Sequence, residues 1–580
     1  MPAFTAGVAL HAEDLRIEVA LRWRGVALAV PSAEVSGAAG RQVRVTRFTA
    51  LVSGVALARP DGSTVQFDGQ YGLLDAERGR LALALRNAPP GRYSGLALEV
   101  GLPPAVNHAD PSRWPARHPL NPIENGLHWG WSGGYVFAAL EGFWRPAPGD
   151  AAAPAREAAR GFSFHLATDP HRIPVRFASD FEVAGPTTLH LALDLGKMLG
   201  AHGFTPDDGS ETTHSADGDA WAGQLARGLQ RSWFFLEAGP TTAAADTGEK
   251  HTPPTALAGT PRVFEVPPGF PQPELPADNP LSDEGIALGR SLFHDRRLSD
   301  GNRQSCADCH QPALGFTDGR RFSTGVDGIQ GTRNTMPLFN LAWSPAYGWD
   351  GGKTRIRDQV RAAMTNPIEM KADPEAVVAA LNRDSSMRAR FAAAFGEPEV
   401  TVRSLELALE QYLLTLVSAD SKFDRASRGQ AELTDEEKRG FALFVTEYDP
   451  ARGRRGADCF HCHGGALFTD FAFRHNGLDH EGSDPGRSVA TGRVTDRGKF
   501  KTPSLRNVAR TGPYMHDGRF KTIEEVVAHY DHGVKRAAAL DPNLAKHPAA
   551  GLGLTHEERR ALAAFLLTLN DSGSPVIRFD

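Results

Sequence analysis

Apolar and polar residues alternate strictly near the start of the chain, where Leu15, Ile17, Val19, Leu21 and Trp23 are interleaved with Arg16, Glu18, Ala20, Arg22 and Arg24. A period of two is the mark of a strand with one buried face. The pattern returns at Leu81, Leu83 and Leu85, at Leu96, Leu98 and Val100 after the Pro89-Pro90-Gly91 turn, and at Leu189, Leu191, Leu193 and Leu195. Short strands between Gly/Pro turns predict an all-β sandwich or barrel, antiparallel in its pairing, over residues 1–240, with a surface loop at 144–160. Residues 241–262 have linker composition. Beyond them the period becomes helical. Leu405, Leu409, Tyr412, Leu413 and Leu416 fall on one helix face, as do Leu562, Phe565, Leu566 and Leu569. Thr434 with Glu437 and Thr555 with Glu558 are capping boxes that place two helix starts. The expected chain is therefore multidomain: a β module, then a mostly α module in two similar parts, 263–430 and 431–580.

Composition excludes several function classes. No run of eighteen apolar residues appears, so no helix spans a membrane. The formal charge of −6 mixes both signs, which argues against a nucleic-acid partner. The first ten residues lack the charged and apolar regions of a secretory signal.

All four cysteines lie in two copies of one motif, Cys306-Ala307-Asp308-Cys309-His310 and Cys459-Phe460-His461-Cys462-His463. C-x-x-C-H attaches c-type haem: two thiols form thioethers to the porphyrin and the adjacent His is the proximal base. A redox dithiol does not require the trailing His, and a four-cysteine zinc site leaves His310, His463 and the long separation of the pairs unexplained. Two covalent haems are expected, and with them a periplasmic location despite the missing signal.

From Pro276 to about Leu569 the chain resembles the dihaem cytochrome c peroxidase and MauG superfamily, through Asp278-Asn279-Pro280, Gly289-Arg290-Ser291-Leu292-Phe293, Arg333-Asn334-Thr335, Trp349-Asp350-Gly351, the segment from Phe500 to Asn507, and above all Gly512-Pro513-Tyr514-Met515-His516-Asp517-Gly518. The resemblance implies a mostly α module of two cytochrome c-like lobes that reacts with hydrogen peroxide. It makes His310 the proximal ligand of the peroxide-reactive haem and Glu369 its distal acid/base; taken alone, a Glu before Met reads as a solvated loop residue. It makes His463 the proximal ligand of the second haem, with Tyr530 as the distal ligand where ordinary peroxidases have Met. A hard phenolate favours high-valent iron, which points to oxidising equivalents stored over both haems. Tyr530 could instead be a helix-face aromatic, and His529 could compete with it. Trp349 matches the Trp between the haems, and Asn334, Thr511 and the carbonyl of Pro513 match the ligands of an inter-haem calcium. Val326 stands where peroxidases have a distal His, which weakens a plain peroxidase reading.

The β module carries Asn107-His108-Ala109-Asp110-Pro111, His118, His128-Trp129-Gly130-Trp131-Ser132-Gly133-Gly134-Tyr135 and Phe164-His165-Leu166. From spacing alone the tryptophans read as core and the histidines as loop groups; converging imidazoles could bind copper. Residues 8–238 resemble the MbnP and CorA type of periplasmic copper-binding protein. There histidines bind copper together with kynurenine, made from tryptophan by a MauG-like partner enzyme, MbnH. This implies copper on His108 and His165, less firmly on His118 and His128, and oxidation of Trp129 or, close behind, Trp131. The fusion then reads as a peroxide-driven dihaem oxidase acting on its own N-terminal domain. The rivals are a dihaem peroxidase fed by a small electron-transfer protein, with an accessory β domain, and a copper storage or delivery protein.

Overall fold

The computed structural model describes residues 15–37, 40–130, 134–146, 159–200, 211–216, 218–241, 258–479 and 484–573. Trp131 and most of the linker-like stretch lie outside these. The chain divides into two compact units, residues 1–110 with 118–248, and 111–117 with 249–580.

The first unit is two β-sheets packed around one apolar core. Strand β1 (Leu15–Trp23) buries its odd positions, as the alternation requires. Burying each such side chain contributes about 1.5–3 kcal/mol. The other strands used below are β2 (Gln42–Ala58), β3 (Ala82–Leu85), β4 (Gly91–Val100), β5 (His128–Trp129), β6 (Gly134–Arg145), β7 (Arg160–Ala167), β8 (Ile173–Val183), β9 (Thr187–Asp194), β10 (Thr212–Thr213) and β11 (Trp233–Pro240). The larger sheet runs β8-β4-β2-β6-β7-β10; the smaller runs β11-β9-β1, with β3 also on β1.

Three details depart from the pattern-based reading. β1 and β9 pair in parallel, Ile17 opposite Leu189 and Leu21 opposite Leu193, as do β7 and β10, so the module is not wholly antiparallel. Alternation cannot reveal this, because inward-facing positions look the same in either direction. Residues 144 and 145 extend β6, and Trp144 is buried rather than part of a loop. A helix, α1 (Ala220–Arg231), closes the core with Trp221, Leu225 and Leu229, capped by Asp219 through the N–H groups of Trp221 and Ala222.

The second unit is built on two matching helix crossings. α2 (Asp283–Phe293), entering the first cysteine motif in the short helix α3 (Cys306–Cys309), packs on α5 (Val402–Leu414), whereas α4 (Ile356–Thr365) lies between them in sequence. α6 (Asp435–Phe444), entering the second motif, packs on α8 (His556–Leu567), and α7 (Ile523–Ala528) precedes it. The boxes of Thr434 with Glu437 and Thr555 with Glu558 cap α6 and α8. Each crossing turns on a glycine: a Cβ on Gly289 would lie 1.9 Å from the Ala408 carbonyl oxygen, and one on Gly440 the same distance from that of Ala561. The Asp278-Asn279 pair ties this frame together. Asn279 donates to the Leu407 carbonyl and to Glu410, and Asp278 receives the Arg357 guanidinium, which holds the Asp278 carboxyl down at about 2.

Gly289→Ala and Gly440→Ala are each expected to lose about 1–3 kcal/mol or more from overpacking, read by denaturant unfolding of the haem-loaded protein. Gly223→Ala in α1, where the one close neighbour is the flexible Arg227 guanidinium, should be neutral or stabilising.

Candidate functional site

Both cysteine motifs end in the same local device. The His310 N–H closes the turn on the Cys306 carbonyl at 2.9 Å, and the His463 N–H does so on Cys459 at 3.0 Å. The His310 Nδ1 lies 2.9 Å from the Phe316 carbonyl oxygen, and the His463 Nδ1 lies 3.1 Å from that of Phe468. Phe316 and Phe468 both sit in the left-handed region, with φ of 62° and 51°, which turns their carbonyls onto the rings. A carbonyl only accepts, so each Nδ1 carries the proton and each Nε2 keeps its lone pair. Burial also holds both imidazoles neutral, below the usual histidine range. Two thiols and a neutral imidazole with an Nε2 lone pair are the donor set that covalent haem needs. Desolvation pushes Cys306 and Cys459 up to about 12 and Cys309 to about 11, the reverse of the lowered thiol of a redox dithiol.

Glu369 lies in the turn after α4, and its charge acts on the Cys309 thiol, which sets it beside the first motif. Asn366 Nδ2 donates to Glu369 Oε1 at 2.7 Å. Glu369 is exposed, yet the protein packed around its carboxylate raises its pKa above the ordinary glutamate value by desolvation. Val326 donates its N–H to the Glu369 carbonyl at 2.8 Å. This ties the Val326 loop to the backbone of Glu369.

Trp349 is pinned at both ends: its Nε1 donates to the Asn334 carbonyl at 2.8 Å, and its own carbonyl accepts the Lys501 N–H at 2.8 Å. It therefore joins the segment after the first motif to the segment after the second. Asn334 donates its amide nitrogen to the Arg320 carbonyl at 2.9 Å, and its N–H binds the carbonyl of His516, three residues past Pro513. Thr511 directs its hydroxyl to the Val508 carbonyl.

Tyr530 sits in the wide helical turn His529–Gly533 after α7. The two cysteines of the second motif act on its phenol electrostatically, burial pushes it up to about 12, and Asn476 Nδ2 lies 3.4 Å from its oxygen. The neighbouring His529 spends its Nε2 on the Asn476 carbonyl at 3.2 Å, while its Nδ1 faces Gly533 of its own turn. Behind this motif, Lys546 pairs with the buried carboxylates Glu447 and Asp458, and His547 bonds Asp458 at 2.6 Å. The ammonium fills the place a cation would take among them.

In the first unit, β5 pairs with β6, Trp129 opposite Gly134. β10 pairs with β7, Ser163 opposite Thr212 and Phe164 opposite Thr213, so the next residues, His165 and His214, meet. Their rings stand 4.7 Å apart, and the Trp129 ring lies 6.1 Å from His165 and 5.5 Å from His214. Sequence reasoning missed His214; its only signal was a lone His five residues before a helix-capping Asp. Asp219 also holds Thr213, fixing the approach of His214. His108 is exposed and pairs with Asp169 at 3.1 Å. His118 accepts the Leu120 N–H, and His128, with its pKa lowered to about 4 by burial, lies edge-on to Tyr135.

A family model described as di-haem cytochrome c peroxidase matches residues 283–432, and the MbnP model matches residues 12–215. The methylamine utilization protein MauG of Methylorubrum extorquens is 38% identical over 335 residues, 57% of this chain and 88% of that protein. The cytochrome c peroxidase Ccp of Escherichia coli is 28% identical over 370 residues, 62% of this chain and 70% of that protein. A crystal structure of a MauG-like protein associated with microbial copper homeostasis aligns with a TM-score of 0.50 at 32% identity, over 55% of this chain and 98% of that one.

If Tyr530 rather than His529 faces the second haem, Tyr530→Phe will change that haem's absorption and EPR spectra and His529→Ala will not. The opposite result would give the position to His529.

Proposed function

Since the chain belongs to the di-haem cytochrome c peroxidase and MauG family and carries an MbnP domain ahead of that module, we propose that this haem-dependent oxidoreductase uses hydrogen peroxide to oxidise Trp129 of its own N-terminal domain to kynurenine. The product, with His165 and His214, would complete a copper site. The observation that carries the reading is the ring cluster of Trp129 with these two imidazoles, which combines an oxidisable indole with copper-suited donors. The association of the MauG-like relative with copper homeostasis agrees with it.

When bound, the haems supply the oxidation of a donor by peroxide. Glu369 takes a proton from one peroxide oxygen and returns it to the other. Val326 brings no second base to that loop. His310 and His463 would hold the irons by Nε2, and Tyr530 would face the second. Trp349, fixed at both ends, is the aromatic that carries oxidising equivalents between the two motifs. The Asn334 side-chain oxygen with Thr511 and the Pro513 carbonyl would hold a calcium, a hard cation suited to neutral oxygens. The reaction balances with two peroxides: four electrons leave the indole, its pyrrole double bond is cleaved to N-formylkynurenine, and hydrolysis releases formate. A periplasmic location is supported by haem attachment and copper handling.

Peptide mapping before and after peroxide tests the reading, with a mass gain expected on the peptide holding Trp129. Glu369→Gln should slow its appearance about 10²–10⁴-fold. Because the Glu369 pKa is raised, the base is lost as pH falls through that raised value, so the rate should decline at a pH above the ordinary glutamate range. An unmodified peptide after all peroxide is consumed would leave a peroxidase fed by an external electron donor.

A further inference from the structure

Strand β6 is buried from Gly134 to Trp144, and Glu141 is the one charged side chain in that run. A carboxylate taken out of water costs several kcal/mol unless it is well paired, and its neighbours Leu140 and Phe143 show what packing alone selects. Glu141 is paired twice. Its Oε1 receives the Arg47 Nη1 at 2.9 Å and faces the His165 Nε2 at 2.9 Å. The backbone is shaped to allow this. The pairing of β6 with β2 slips between Glu141 and Gly142, and a Cβ on Gly142 would lie 2.2 Å from the Arg44 carbonyl oxygen. Such a bulge re-aims the side chain beside it.

We propose that Glu141 is a positioning residue of the copper site, fixing His165 with its proton on Nε2 and its Nδ1 toward the metal. An ionised carboxylate held by Arg47 only accepts, so the imidazole nitrogen facing it is the one that carries hydrogen. A carboxylate behind a metal-bound imidazole fixes its orientation and raises its basicity. Arg47 alone would satisfy Glu141 in a purely structural role, whereas the contact with His165 ties it to the cluster. The proposal rests on the copper reading of that cluster, in which oxidised Trp129 completes the site.

The test uses the full-length, haem-loaded, peroxide-treated chain with Cu(II) alone as probe. Affinity is measured by chelator competition, the copper environment by EPR, Trp129 oxidation by peptide mass, and folding by circular dichroism. Glu141→Gln, which keeps the shape and an acceptor, is expected to weaken Cu(II) binding about 10–100-fold and to change the copper EPR spectrum, compared between chains whose peptide mass shows the same extent of Trp129 oxidation. Unchanged affinity and spectrum in the folded variant would overturn the proposal, as would absence of Cu(II) binding to the parent chain. Failure of Trp129 oxidation is read separately, from the mass. Nitrogen-15 NMR of histidine-labelled, copper-free parent protein gives a measurement that needs no variant. A proton on His165 Nε2 supports the assignment, and a proton on Nδ1 overturns it.

Discussion

Everything assigned to the second unit depends on two backbone carbonyls. Phe316 and Phe468 each adopt a left-handed conformation that costs a side-chain-bearing residue about a kcal/mol or more, and each aims its carbonyl at the imidazole of a C-x-x-C-H motif. A carbonyl cannot donate, so this contact selects the tautomer with the proton on Nδ1 and leaves the Nε2 lone pair for a metal. That fixes where an iron can sit. Glu369, beside Cys309, and Tyr530, beside Cys459 and Cys462, acquire a chemical meaning from that position. The same local solution occurs in both helix pairs, each hinged on a glycine, which is the signature of one fold used twice.

The first unit commits its imidazole differently. His165 faces the carboxylate of Glu141 rather than a neutral carbonyl, a stronger acceptor that would make the ring more basic toward a metal. His214 arrives through a two-residue strand and a threonine held by the cap of α1. Trp129 arrives on another two-residue strand beside β6. Two two-residue strands thus bring Trp129 and His214 to His165 on β7, so strand pairing and a helix cap position the cluster.

Much of this was legible in the chain. Alternation at Leu15–Trp23 gave the strand, the threonine–glutamate boxes gave the starts of α6 and α8, and the paired motifs named the cysteines and His310 and His463. The parallel pairing of β1 with β9 was not legible, since burial alternates alike in either direction. α1 was missed because it lies in a module read by its period-two pattern. His214 was invisible because its partnership depends on β7 and β10 pairing across about fifty residues. Glu141 lies within an apolar run, and its contact with His165 depends on the pairing of β6 with β7.

The central claim is that the copper site is made by the chain's own peroxide chemistry. The most direct measurement is copper bound per chain, by chelator competition, in haem-loaded protein never exposed to peroxide and again after a single peroxide pulse. Tight binding that emerges only after the pulse is the predicted result. Equally tight binding by the unexposed protein would contradict the account and leave the β module a preformed copper carrier.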